Sequence, residues 1–157
     1  MSEIGNLNYN WSCRIVSQLY NLGVKTVCIS PGSRNTPLTE SFINHKKLIC
    51  FSIFDERSAC YYALGLSKAS GNPVAILTTS GTATANLFPA IIEAKLSSTP
   101  LLILTADRPS NLIGTGASQT IDQNNLYGNY VNDMINIDFQ KSDLNSIIIK
   151  LSKSINK

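Results

Sequence analysis

A carboxylate pair, Asp55-Glu56, stands where an apolar strand-like run gives way to the apolar helix-like run of FDERSACYYALGLSKASG. Three arginines, Arg34, Arg57 and Arg108, lie in the short stretches SPGSRNTP, FDER and ADRP, each following an apolar run, and a fourth stretch, TSGTAT, offers hydroxyls. Guanidinium forks take planar carboxylates through two parallel bonds, and helix N-termini favour anions. Residues of these types can bind an acidic small molecule beside a carboxylate that holds or shares a proton. A carboxylate between Phe54 and an apolar helix is expected to be partly desolvated, which suits Glu56 to that task.

Each piece also has a plainer reading. Gly32 and Gly81 can serve only as turn residues. Asp55 reads as a helix N-cap, Arg57 as a surface residue or a structural ion-pair partner. His45, the only histidine, sits beside Lys46 and Lys47 at a helix end and reads as structural or solvated, so no Ser/His/Asp arrangement can be built. Neither SPGSR nor TSGTAT is a Walker loop, because the Gly-Lys-Ser/Thr that holds phosphates is absent.

The elements that must position these stretches follow from periodicity. Trp11, Ile15, Val16, Leu19 and Leu22 recur at helical spacing over residues 11–22, with Gly23 as C-terminal cap. A strand at 26–29 runs into SPGSRNTP, after which Thr36 reads as N-cap and Pro37 as a first-turn residue. The alternation continues with strand 48–53, helix 58–70, strand 74–79, helix 83–96 and strand 101–106, Pro89 being expected to kink the last of these helices. Residues 134–139 predict one more strand and 143–156 a last helix, striped by Leu144, Ile147, Ile148, Leu151 and Ile155. The expected fold class is α/β, a parallel sheet with helices on both faces. In such a sheet, ligands bind outside the carboxyl ends of the strands, where all four stretches fall. The polar stretch 110–127 is long for a connection and reads as a functional loop. No strand follows the last helix, so the chain reads as a single domain over residues 1–157 with its final strand missing, a piece of a longer protein.

Composition narrows the classes. With 157 residues and 15% charged, the chain is of one-domain size and far from disordered composition. The net charge of +3 owes much to Lys141, Lys150, Lys153 and Lys157, a solvated edge and not a nucleic-acid footprint. Cys13, Cys28, Cys50 and Cys60 fall singly inside apolar runs, without the pairing zinc or a redox dithiol needs, and read as small buried hydrophobes in a reducing compartment. No signal sequence or membrane-length apolar run is present, so a bacterial cytoplasm, or an organelle interior with the targeting segment absent, is expected.

In this order, CISPGSRNTPL, FDERSACYYALGLSKASGNPVAILTTSGTATANLFPAIIEA and LILTADRP resemble the N-terminal, pyrimidine-binding domain of the 2-succinyl-5-enolpyruvyl-6-hydroxy-3-cyclohexene-1-carboxylate synthases. These are thiamine diphosphate enzymes of menaquinone and phylloquinone biosynthesis. The resemblance covers residues 11–127 and fades beyond. It implies that Glu56 hydrogen-bonds N1′ of the cofactor's aminopyrimidine and favours the imino form, whose 4′-nitrogen takes the thiazolium C2 proton. It implies decarboxylation of 2-oxoglutarate and conjugate addition of the four-carbon unit to isochorismate. Ser33, Arg34, Arg108 and Gln119 match positions that contact substrate, and Ser80, Gly81 and Thr82 lie near the pyrimidine.

Departures from the family pattern set limits. Its members are several times longer and hold Mg2+ or Mn2+ and the diphosphate through a Gly-Asp-Gly motif and a downstream Asn, in a domain that this sequence lacks. The resemblance further implies a homodimer or homotetramer, with the cofactor between domains of two subunits. The chain then holds half a site, contributes no metal ligand, and is inert alone, though it can dimerise through the helices after Asp55 and Thr82. Two alternatives are another thiamine diphosphate 2-oxoacid decarboxylase or synthase, and a stand-alone binding domain without chemistry. The arginine of SPGSR suits a dicarboxylate better than a neutral ketone, and a mere scaffold would need neither Glu56 nor Arg34.

Overall fold

The structure is a computed structural model that describes residues 3–138 and 142–155. Four strands, β1 (Thr26–Ile29), β2 (Ile49–Ser52), β3 (Val74–Thr78) and β4 (Leu101–Thr105), form one parallel sheet in the order β2-β1-β3-β4. Thr26 pairs with Ile49 on one side and Val74 on the other, so the strand ends are nearly level. Six α-helices connect and cover them: α1 (Glu3–Asn21), α2 (Thr36–Asn44), α3 (Glu56–Ser70), α4 (Thr82–Asn86), α5 (Phe88–Leu96) and α6 (Leu144–Ile155).

The two-residue period of the strands divides the core between two faces. Val27, Ile29, Ala75 and Leu77 point to one side, where they meet Val16 and Leu19 of α1, Phe42 of α2, and Ile147 and Leu151 of α6. Cys28, Val74 and Ile76 point to the other, against Ala59, Cys60 and Ala63 of α3 and Ala90 and Ile91 of α5. Leu19, Phe42, Ile76 and Leu77 are fully buried, each contributing about 1.5–3 kcal/mol of hydrophobic stabilisation. The small residues on α3 let that helix sit close to the sheet. Helices cover both faces, as the alternation predicts.

Local boundaries differ from the expectations where tertiary contacts intervene. The first helix begins at Glu3, well before the apolar stripe, and ends with Gly23 at φ +100°. Pro89 does more than kink: the expected helix over 83–96 is two helices meeting at Leu87, with Pro89 in the first turn of α5, where its missing N–H costs nothing. Thr36 is not the N-cap of α2. That place belongs to Asn35, while Thr36 is the first helical residue and its hydroxyl donates back to the Ser33 carbonyl at 3.0 Å.

The strand expected at 134–139 does not form over its described residues, 134–138. Ile135 and Ile137 pack against the α1 and α6 side of the core without joining a ladder, and Met134 is 53% exposed. Phe139 lies outside the described residues, as does Asn156 of the expected last helix. Asp143 sits just before α6, and its carboxylate accepts from the Ser146 amide at 2.9 Å. The cysteines divide: Cys28 and Cys60 are buried as expected, whereas Cys13 and Cys50 are only half-buried. Burial pushes the Cys28 and Cys60 thiols up to about 12, which keeps them protonated and inert.

Candidate functional site

The chain turns left from β1 to β2 and then crosses to β3 and β4 on the right, so the direction of winding reverses between β1 and β3. A crevice opens at such a switch point, outside the carboxyl ends of the strands. The loops after β1 and β3 stand at this switch point and touch. A Cβ on Gly32 would come within 2.5 Å of Thr79 Cβ, so glycine is demanded at 32 by this close approach.

The loop after β1 is shaped by Asn35, which is 1% exposed. Its Oδ1 accepts from the Gly32 amide at 3.0 Å and its Nδ2 donates to the Ser30 carbonyl at 2.8 Å. Both ends of a buried amide are thereby satisfied. Ser30 Oγ donates to the Ile53 carbonyl at 3.0 Å and ties the end of β1 to that of β2. Ser33 and Arg34 ride at the exposed tip of this loop. Among the described residues the Arg34 guanidinium forms no ion pair.

Glu56 opens α3 at the end of β2. Asp55 caps that helix, accepting from the Ser58 amide at 2.8 Å, and this bond holds its carboxyl below the usual range, with Arg57 adding a smaller effect. Asp55 is therefore occupied as the sequence predicts. Glu56 is half-buried, and its Oε2 accepts from Asn86 Nδ2, on α4, at 3.1 Å. Its Oε1 has no donor among the described residues. Phe54, two residues earlier, is 92% exposed, and Tyr61 and Tyr62 on α3 are about half exposed. An acceptor carboxylate with one oxygen open can meet a nitrogen heterocycle.

The turn after β3 is buried. Ser80 is 1% exposed and its Oγ donates to the Gln119 carbonyl at 2.8 Å. The Gly81 amide donates to Gln123 Oε1 at 2.9 Å, and Gly81 has φ +81°. A Cβ there would stand 2.9 Å from the Gln119 backbone, so glycine serves both conformation and approach. The polar groups of Ser80 and Gly81 are thus engaged by the 110–127 loop, whereas Thr82 is exposed at the start of α4. That loop is not slack. Besides these contacts, Tyr127 fixes its far end by donating to the Thr84 carbonyl at 2.9 Å, and burial pushes the Tyr127 phenol up.

Arg108 follows β4 and bends toward the same loop, its Nη1 donating to the Ser118 carbonyl at 2.9 Å. Its Nε is buried and unpartnered among the described residues. Burial raises the neighbouring Asp107 above the usual carboxylate range against the opposing bond from the Arg108 amide, and Asp122 pushes the same way as burial. Gln119 is exposed, in a left-handed conformation at φ +53°.

The four stretches therefore meet along one sheet edge. No hydrogen bond or ion pair joins the side chains of Arg34, Arg57 and Arg108 to one another among the described residues, and Arg57 is exposed at the start of α3. His45 caps the C-terminal end of α2, its ring 4.9 Å from that of Tyr20, in keeping with a structural role. Among the described residues no group of three His, Cys, Asp or Glu side chains can hold a metal ion. Three positioning side chains escape sequence reasoning: Asn35, Asn86 and Gln123. Asn is a favoured N-cap type, so Asn35 had a local signal. The other two act across 30 and 42 residues and have none.

The model of the family "Thiamine pyrophosphate enzyme, N-terminal TPP binding domain" matches residues 10–126. The chain is 56% identical over 130 residues to the 2-succinyl-5-enolpyruvyl-6-hydroxy-3-cyclohexene-1-carboxylate synthase of Gloeothece citriformis, an alignment covering 83% of this chain and 22% of that protein. It is 51% identical over 142 residues to the synthase of Trichodesmium erythraeum, covering 90% and 24%, and 52% identical over 126 residues to that of Haloarcula marismortui, covering 80% and 21%. The chain thus spans about a quarter or less of the length of these curated relatives. With the family match reaching from α1 through the loop that closes on Gly81, and the parallel sheet and its switch point in place, the chain belongs to the thiamine pyrophosphate enzyme family as an N-terminal TPP-binding domain.

Proposed function

We propose that the chain forms the pyrimidine-binding half-site of a thiamine diphosphate-dependent synthase. That enzyme decarboxylates 2-oxoglutarate and adds the four-carbon unit to isochorismate on the way to menaquinone or phylloquinone. The observation that carries the reading is Glu56: a half-buried carboxylate opening α3 on the carboxyl side of the sheet, with one oxygen held by Asn86 and the other open. The names of relatives more than 50% identical support the choice of reaction. They also disfavour another 2-oxoacid enzyme or a non-catalytic binding domain.

The residues present fit the cofactor's ring. Glu56 Oε1 holds a proton against a ring nitrogen, and Asn86 fixes the carboxylate's orientation for that contact. Ser80 and Gly81 shape the wall of the site through the loop they carry, and Thr82 borders it. When bound, thiamine diphosphate supplies the carbanion chemistry. Ser33 and Arg34 at the exposed loop tip, Arg108 with its buried unpartnered Nε, and Gln119 take the carboxylates and carbonyl of the substrates. Magnesium or manganese and the diphosphate belong to residues outside this sequence, which contains no Gly-Asp-Gly.

The same reading gives a cytoplasmic homodimer or homotetramer, in which the exposed Phe54, Tyr61, Tyr62 and Leu96 find cover. No helix among the described residues is long and apolar enough to cross a membrane. The deciding experiment assays the complete natural polypeptide carrying this sequence with 2-oxoglutarate, isochorismate, thiamine diphosphate and magnesium. Product formation is expected; its absence sinks the reading. Turnover by residues 1–157 alone would overturn the half-site.

A further inference from the structure

Gln123 uses both ends of its carboxamide. Oε1 accepts from the Gly81 amide at 2.9 Å, on the turn after β3, and Nε2 donates to the Ala106 carbonyl at 3.0 Å, at the end of β4. Both partners are backbone groups at fixed places on the sheet edge. Only an amide side chain of this length both accepts and donates there: glutamate loses the donor, lysine the acceptor, and asparagine the reach.

Four residues earlier, Gln119 adopts φ +53°, a conformation that side chains seldom take and that persists where surrounding contacts hold it. Its carbonyl accepts from Ser80 Oγ at 2.8 Å, and its backbone lies on Gly81 so closely that a Cβ would intrude at 2.9 Å. The side chain of Gln119 is left exposed beside the turn after β3. Ser80, and Arg108 through the Ser118 carbonyl, hold this segment at and before Gln119, and Gln123 holds it beyond, so removing Gln123 leaves Gln119 anchored from one side only.

We propose that Gln123 is a positioning residue for the reaction: its bridge between Gly81 and Ala106 holds Gln119 in the left-handed conformation that presents its side chain to substrate. The proposal rests on the reading of Gln119 as a substrate contact in the synthase. Gln123 touches neither substrate nor cofactor and acts through Gln119.

A double-mutant cycle in the complete natural polypeptide tests it, with 2-oxoglutarate and isochorismate as substrates. Displacing a binding group by about 1 Å can cost about 100-fold, so Gln123→Ala is expected to lower kcat/KM by roughly 10- to 100-fold. In a Gln119→Ala background the same change is expected to cost less than about threefold, because the two residues act as one unit. Hydrogen exchange at the Gly81 amide is expected to quicken in Gln123→Ala, and Gln123→Asn, the gentler variant, repeats the cycle if the alanine variant does not fold. Equal losses in both backgrounds overturn the proposal, since a merely structural residue acts regardless of Gln119. Unchanged kcat/KM with faster Gly81 exchange overturns it too. A wild type inactive on this substrate pair overturns the reading of the synthase, and the proposal with it; an active wild type with independent effects sinks the proposal alone.

Discussion

Asn86 Nδ2 donates to Glu56 Oε2 at 3.1 Å, joining the last residue of α4 to the first of α3. Two helices that start at the ends of different strands are thus aligned by one side-chain bond. The contact orients the carboxylate on which the proposed chemistry depends. Replacing Glu56 by Gln keeps the shape but removes the negative charge and the basic oxygen. In the complete polypeptide, Glu56→Gln is expected to lower synthase turnover by at least about 100-fold, the scale of a lost proton-transfer group, while the fold survives. Steady-state kinetics beside a thermal melt checks both halves; wild-type turnover in the variant would remove Glu56 from the mechanism.

Arg34 has a different signature. It is exposed at its loop tip and makes no ion pair among the described residues, so its removal leaves the packing untouched. Arg34→Ala is expected to raise KM for a dicarboxylate substrate by roughly tenfold or more, the value of a charge-assisted pair, with an unchanged melting temperature. An unaltered KM would place the anion site elsewhere.

Gly32 and Asn35 carry the stability of the same loop. A Cβ at 32 collides with Thr79 at 2.5 Å, and overpacking of this kind costs about 1–3 kcal/mol. Asn35→Ala strands the Gly32 amide and Ser30 carbonyl in a buried place, at a cost of about 1–3 kcal/mol. Urea unfolding of Gly32→Ala and Asn35→Ala gives both values. A Gly32→Ala protein as stable as wild type would show that the Thr79 side chain yields.

Two aspartates predict opposite pH responses. The Ser58 amide lowers the folded-state pKa of Asp55, so its contribution to stability is present above the unfolded value, about 3.9, and is lost as pH falls through the folded value. Asp55→Ala is therefore expected to unfold more readily than wild type at pH 7, and the difference to close in acid. Burial raises the folded-state pKa of Asp107, so folding there favours the protonated form below the unfolded value and is opposed as pH rises through the folded one. Asp107→Asn, which keeps an acceptor for the Arg108 amide, is expected to gain stability over wild type at neutral pH and to lose that advantage in acid. Unfolding midpoints measured from acid to neutral pH decide each, and parallel curves for wild type and variant would refute the assignment.

What the sequence by itself determined was the local grammar: short continuous apolar runs, helical stripes between them, and Asp55 as a cap three residues before the amide it binds. These are interactions within one element, and they place SPGSR, FDER, TSGTAT and ADRP at a single sheet edge before any contact is known. Tertiary structure alone decided which residues serve that edge. Gly32 is needed because Thr79 lies against it, and Ser80 and Gly81 are engaged by Gln119 and Gln123 about forty residues away. Residues 134–138 alternate like a strand, yet they lie along the core without a ladder, because Ile135 and Ile137 find their burial against helices. Periodicity reports which faces a segment must bury; the partner that buries them, and the backbone group a distant side chain reaches, exist only once the chain has closed on itself.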